Sequence, residues 1–262
     1  FMIKVHTLPA FSDNYLWLFH SEGSSDAYVV DPGDGTVVLE ALEALSLNLA
    51  GILVTHHHAD HTGGIAQLLD IKAVPVYGPD SANIPLVSHP FRHGETLELS
   101  PELFFEVIEV PGHTLDHIAW FCPATEAQKP LLFCGDTLFA GGCGRLFEGS
   151  AVQMHQSLSL LAKLPENTAI HCAHEYTLAN LAFAQAVEPN NHSLSQRVID
   201  AQALRDKGLP TVPSTIGLEL ETNPFMRCNT ESVKKSLETK LGRVINTADE
   251  LLGAVRTWKD SF

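Results

Sequence analysis

Apolar and polar positions along the chain follow two periods. Residues 15–19, 27–30, 51–55, 118–122, 131–134 and 168–172 are short apolar runs, and residues 104–110 alternate before a Pro-Gly pair; these read as strands. Residues 36–45, 65–69 and 152–164 carry helical spacing, the last stopped by Pro165. The order mixes strands and helices without eight regular strand–helix units, so stacked sheets with helices outside are expected. After about residue 174 the pattern changes. Residues 176–187, 194–207, 231–241 and 249–259 read as helices, no strand is expected beyond Cys172, and Pro189, Pro210, Pro213 and Pro224 punctuate the linkers. An α+β chain follows, with a first domain over residues 1–174 and a small helical domain, or a helical lid, over residues 175–262.

Composition narrows the classes. The chain has 262 residues, 45% apolar and 18% charged, which is ordinary for a globular protein and long enough for a full core. Its net charge of −15 repels nucleic acid and anionic lipid. No apolar run approaches the roughly 18–20 residues of a membrane span. Residues 1–13 hold one lysine and no long apolar segment, so no secretory signal is expected. Five cysteines, none spaced as CxxC, fit a reducing cytoplasm better than a disulfide framework. Histidine is the outlier at 14 residues, nearly equal to the 16 lysines and arginines together.

The histidines concentrate where strands end. The run at residues 51–55 leads into His56-His57-His58-Ala59-Asp60-His61-Thr62-Gly63-Gly64. In an extended segment His56 and His58 point the same way and His57 the other way, while Asp60 and His61 open the next helix. Three more strands end at His113, Asp136 and His174. Taken singly, each of these is a common surface or capping residue; together with the first cluster they form a metal-ligand series. Imidazole and carboxylate suit zinc and its first-row neighbours, and seven donors are too many for one four-coordinate ion. Two divalent cations sharing a carboxylate fit the count, with zinc the first expectation and iron or manganese compatible.

This series, in this order, resembles that of the metallo-β-lactamase superfamily. Further stretches resemble the hydroxyacylglutathione hydrolase (glyoxalase II) family within it: Pro9-Ala10-Phe11-Ser12-Asp13-Asn14-Tyr15, Gly135-Asp136-Thr137-Leu138-Phe139, Gly141-Gly142-Cys143-Gly144-Arg145, Cys172-Ala173-His174-Glu175-Tyr176-Thr177 and Asn223-Pro224-Phe225-Met226-Arg227. The resemblance spans essentially the whole chain. It implies a four-layer αββα sandwich followed by a helical substrate-binding domain. It also implies that His56, His58 and His113 hold one metal, that Asp60, His61 and His174 hold the other, and that Asp136 bridges them. Asp60 and Asp136 are then the catalytic carboxylates in the sense of ligands that hold the reacting centre. Arg145, Phe147, Tyr176, Arg256 and Lys259 stand at the family's glutathione-binding positions. Arg145 stands where animal relatives carry Lys, and Phe147 where they carry Tyr.

The implied activity is hydrolysis of S-D-lactoylglutathione to D-lactate and glutathione, the second step of methylglyoxal detoxification. A monomeric cytoplasmic enzyme with a small-molecule partner is expected. The rival readings are a mononuclear iron persulfide dioxygenase, another hydrolase or a nuclease on the same scaffold, and a non-enzymatic metal-binding protein. From spacing alone Arg256 and Lys259 are also ordinary solvated charges on a last helical turn.

Overall fold

The computed structural model describes residues 2–262. The chain divides into two compact units. The first runs to Glu109 and includes Asp116–Gly135; the second comprises Val110–Leu115 and Asp136–Phe262.

In the first unit, β1 (Ile3–Ala10), β2 (Asn14–Ser21), β3 (Asp26–Val30), β4 (Asn48–Leu53), β5 (Val76–Pro79) and β6 (His89–Phe91) form one sheet in sequence order. Its first three strands are antiparallel and its last four run parallel. Parallel neighbours need a crossover, and α1 (Gly35–Leu45) supplies one between β3 and β4, while α2 (Ala59–Thr62) and α3 (Ile65–Ile71) lie between β4 and β5. Asp34 starts α1 by accepting from the Thr36 and Val37 N–H groups, a cap that contributes about 1 kcal/mol. A second set of strands, β7 (Thr96–Ser100), β8 (Leu103–Glu109), β9 (Ile118–Cys122) and β10 (Leu131–Gly135), pairs antiparallel in that order.

Burial in β2 shows how the layers stack. Leu16 and Leu18 pack with Val38 and Leu42 of α1 and Ile65 and Leu68 of α3. On the other face Phe19 meets Phe105 and Phe133 of the second sheet at ring distances of 5.4 and 5.3 Å. With both faces covered, β2 reads as a continuous apolar run rather than an alternating one. Each such buried side chain contributes on the order of 1.5–3 kcal/mol. The ladder of β4 ends at Leu53, two residues before the end expected from the apolar run. Beyond it the chain turns its carbonyls to the second sheet: Val54 O accepts from the Trp120 indole (3.1 Å) and Thr55 O from Ile118 N (2.9 Å).

The second unit is mainly helical. It contains the hairpin β11 (Leu138–Phe139) and β12 (Gly142–Cys143), α4 (Ala151–Leu161), β13 (Ala169–Cys172), α5 (Thr177–Val187), α6 (His192–Asp206), β14 (Ser214–Thr215), α7 (Ile216–Thr222), α8 (Glu231–Leu241) and α9 (Ala248–Asp260). The sequence reading assigned no element to α7 or to the β11–β12 hairpin, and two further features differ from it. A two-residue strand, β14, follows Cys172 after all and pairs with β13, too short to carry a period. Helix α4 ends at Leu161 rather than at Leu164, because Lys163 N and Leu164 N bond back three residues and tighten the chain out of the helix. All five cysteines are buried thiols, as expected without a disulfide framework. Burial pushes Cys143 up to about 11 and Cys122 and Cys172 up to about 12.

Candidate metal centre

Each unit brings part of the expected ligand series together. In the first, the chain leaves β4 and turns through the four-residue α2. A Cβ on Gly33 would fall 1.8 Å from the Asp60 carbonyl oxygen, so only glycine lets the loop after β3 lie against this turn. The ring centroids of His56 are 4.8 Å from His58 and 4.1 Å from His61. His57 turns away and pairs with Asp116 at 2.9 Å, as the alternation predicts.

Asp31, which the sequence reading did not select, organises this half. It sits at φ +51°, an uncommon conformation that Asp tolerates better than most residues. Its buried carboxylate accepts from Thr55 N (2.7 Å), the Thr55 hydroxyl (2.6 Å) and His61 Nδ1 (2.9 Å). The Thr55 hydroxyl has one hydrogen, and Asp31 takes it. Toward His56 Nδ1, 3.0 Å away, that hydroxyl therefore accepts. Both rings carry their proton on Nδ1 and turn the Nε2 lone pair inward. His61 Nε2 then lies 3.3 Å from Asp60 Oδ2, and His56 Nε2 lies 3.2 Å from His58 Nδ1. Asn14 Nδ2 donates to Asp60 Oδ2 at 2.9 Å and fixes that carboxylate. Asp31, His56 and His61 offer donor atoms within 4.8 Å of one another. The Asp31 oxygens are directed at Nδ1–H and Thr55, so this residue braces the imidazoles from behind rather than joining them as a ligand.

The second unit repeats the arrangement with different support. His113 Nε2 and His174 Nε2 lie 3.4 and 3.3 Å from the same oxygen, Asp136 Oδ2. His113 Nδ1 donates to the Arg145 carbonyl at 2.8 Å, which again turns Nε2 inward. A Cβ on Gly144 would fall 2.0 Å from the Asp136 carbonyl oxygen, so the segment after β12 can pass the ligands only as glycine. Tyr176 stacks on His174 with centroids 4.7 Å apart and planes 3° from parallel; Phe147 meets His113 edge-on at 5.2 Å.

In both halves an imidazole lone pair faces a carboxylate oxygen, at 3.3 Å for His61 and Asp60 and 3.4 Å for His113 and Asp136. Two such atoms repel unless they share a cation. His61, His113 and His174 are buried. The donor set therefore fits divalent first-row cations.

The basic positions lie in the second unit. Arg256 is buried, donates Nη1 to the Cys143 carbonyl (2.7 Å), pairs with Asp260 (2.8 Å) and sits 5.1 Å over the Phe225 ring. Burial lowers the Lys259 pKa, and the positive charges of Arg256 and Arg145 lower it further. These three cations therefore share one electrostatic neighbourhood. Phe147, Arg145 and Tyr176 are exposed.

Comparison with known proteins bears on these sites. Residues 14–174 match the metallo-β-lactamase superfamily, and residues 175–262 match the hydroxyacylglutathione hydrolase C-terminus. Hydroxyacylglutathione hydrolases from Shewanella halifaxensis and Pseudomonas aeruginosa strain LESB58 are each 50% identical to this chain, over 264 and 262 aligned residues that cover all of both proteins. The chain belongs to the hydroxyacylglutathione hydrolase family. Among solved structures, ETHE1 from Myxococcus xanthus aligns with a TM-score of 0.65 at 24% identity over 98% of this chain and 99% of that one. TTHA1623, solved in a di-iron-bound form, aligns at 0.55 and 28% identity over 85% of this chain and 99% of that one.

As a member of the hydroxyacylglutathione hydrolase family the chain is a metal-dependent hydrolase. Its fold is the αββα sandwich followed by the helical domain. Among the described residues no helix is long and apolar enough to cross a membrane. Besides Asp31, the sequence reading missed Asn14, Thr55 and His117, whose ring stacks 4.5 Å from that of His56. One signal was available for Asp31. The strand at residues 27–30 ends in an aspartate, just as the strand at residues 131–134 leads to Asp136.

Proposed function

We propose that this chain hydrolyses S-(2-hydroxyacyl)glutathione thioesters, S-D-lactoylglutathione foremost, to glutathione and a 2-hydroxy acid. The reading assigns His56, His58 and His113 to one divalent cation, Asp60, His61 and His174 to a second, and Asp136 to both. Zinc is the first expectation, with iron and manganese compatible. Residues 1–174 form the catalytic domain and residues 175–262 the substrate-binding domain of a monomeric cytoplasmic enzyme acting in methylglyoxal detoxification. One observation carries the choice of substrate: the match at residues 175–262 is specific to this family, and it contains Arg256 and Lys259.

Ions bound at such a site acidify water toward neutral pH and polarise a carbonyl oxygen. The side chains do the rest. Nδ1–H bonds to Asp31, Thr55 and the Arg145 carbonyl hold three imidazoles with Nε2 inward, so no ring reorients during turnover. Asp60 is held by Asn14 as a ligand and is not needed as a general base. The leaving thiolate has a conjugate pKa of roughly 8.5, judged by free cysteine, so it departs without a dedicated acid. The substrate carries carboxylates and the protein carries −15. Arg145, Arg256 and Lys259 offset that repulsion locally, while Tyr176 and Phe147 offer ring faces to the peptide. Phe147 has no hydroxyl, so it acts through ring or backbone.

The test follows thioester loss with S-D-lactoylglutathione and quantifies metal on the same sample. Two ions per chain with turnover is the expected result. Two ions without turnover would reject the substrate, and oxygen uptake with glutathione persulfide would replace the reading with a dioxygenase.

A further inference from the structure

Three of the polar groups on the β11–β12 hairpin bond to two side chains of α7 and its cap. Glu219 is fully buried. Its Oε2 accepts from Gly141 N (2.8 Å) and Asn223 Nδ2 (3.0 Å); its Oε1 accepts from Arg197 Nη2 and the Ser214 hydroxyl, both at 2.5 Å. Asn223 Nδ2 also donates to Gly142 O (2.9 Å) and approaches Phe139 O (3.3 Å). The hairpin so held, with the two residues that follow it, touches every expected ligand of its unit. Phe139 meets the His174 ring edge-on, Gly144 fits under the Asp136 carbonyl, and Arg145 O takes His113 Nδ1–H.

A buried carboxylate–guanidinium pair is weak evidence of stabilisation, because desolvation offsets most of the attraction. The geometry points to another role. We propose that Glu219 is a positioning residue of this metal centre: through Gly141 and Asn223 it fixes the hairpin whose Arg145 carbonyl keeps the His113 proton on Nδ1. The inference rests on His113 being a ligand, as proposed above. In Glu219→Gln the amide oxygen stays with the charged Arg197. The amide NH₂ then faces the Gly141 N–H and Asn223 NH₂, donor against donor, and the hairpin is released on the ligand side alone.

The test has a readout independent of activity. In ¹⁵N-histidine-labelled, metal-free protein, the Nδ1–H signal of His113 is assigned by its loss in His113→Asn. Glu219→Gln is expected to weaken that signal and populate the Nε2–H tautomer. It is also expected to weaken zinc binding about 10- to 100-fold, as outer-shell changes do, and to lower kcat by more than it changes KM. Val233→Ala, a cavity variant in α8 away from the hairpin, is the control for lost stability and is expected to keep the tautomer. Asn223→Ser removes the hold on the Gly142 carbonyl but spares the Arg197–Glu219 pair, so it reports even if Glu219→Gln does not fold. An unchanged His113 tautomer in either variant that folds, with zinc affinity unchanged, overturns the proposal. An enzyme inactive on the thioester, but with the tautomer shifted, refutes the substrate assignment and leaves the positioning role standing.

Discussion

The two units assemble their ligands in opposite ways. In the first, His56, His58, Asp60 and His61 come from one six-residue stretch, so a single turn and short helix bring them together. The side chain of Asp31 braces His61 directly and His56 through the Thr55 hydroxyl. In the second, His113, Asp136 and His174 are far apart in sequence, and the brace on His113 is a neutral backbone carbonyl. The difference teaches where each half is fragile. The first depends on one charge, which a point mutation removes. The second depends on backbone placement, which no substitution at Arg145 itself deletes and which only the hairpin's anchors can disturb.

That contrast is broken most severely at its shared chemical element, the carboxylate. Asp136→Ala leaves His113 and His174 facing each other without the oxygen both approach. It is expected to cost at least one ion per chain by elemental analysis, and activity by more than the about 100-fold typical of outer-shell changes. Retention of two ions would remove Asp136 as the bridge. Next, Asp31→Asn keeps a residue that tolerates the left-handed backbone but removes the charge behind His61. Zinc titration is expected to show affinity weaker by about 10- to 100-fold. If Asp31→Asn binds as tightly as the parent, charge is not what sets the first half apart.

Smaller effects fall on substrate binding and sharpen the reading of the second unit. Arg256→Ala is expected to raise KM by more than it lowers kcat in steady-state kinetics, the signature of uniform binding lost. Because Arg256 also holds the Cys143 carbonyl, a modest fall in kcat is expected beside it. Lysine attracts carboxylates only below its pKa. For Lys259 burial and two neighbouring cations lower that pKa from 10.5, so the charge disappears at a lower pH than in a free lysine. KM is therefore expected to climb with rising pH before 10.5 is reached, and Lys259→Ala to flatten that climb; the same profile in the variant would exclude Lys259. Smallest of all, Asn14→Ala frees Asp60 from its one side-chain donor described above. A few-fold rise in the zinc dissociation constant is expected, the scale of about 1 kcal/mol for one typical hydrogen bond.

Much of this molecule was readable from one sequence, for reasons that differ by element. Strands such as β9 (Ile118–Cys122) and helices such as α8 (Glu231–Leu241) were bounded as expected because periodicity and a terminal Gly242 at φ +67° agree locally. The short strands β5, β6 and β14 were not, since two to four residues hold too little period to distinguish strand from loop. The first ligand cluster was legible because its members are neighbours in the chain, and a local motif carries its own geometry.

What the sequence determined by itself was the chemistry on offer: imidazoles and carboxylates at strand ends, in a fixed order, on an α+β chain whose family those residues already marked. What only the tertiary structure decided was direction. Asp31, Thr55 and the Arg145 carbonyl set which nitrogen of His61, His56 and His113 faces inward, and Glu219 with Asn223 sets where that carbonyl lies. A tautomer depends on a hydrogen-bond partner brought close by folding, up to 32 residues distant for His113, and no local pattern of side chains encodes that meeting.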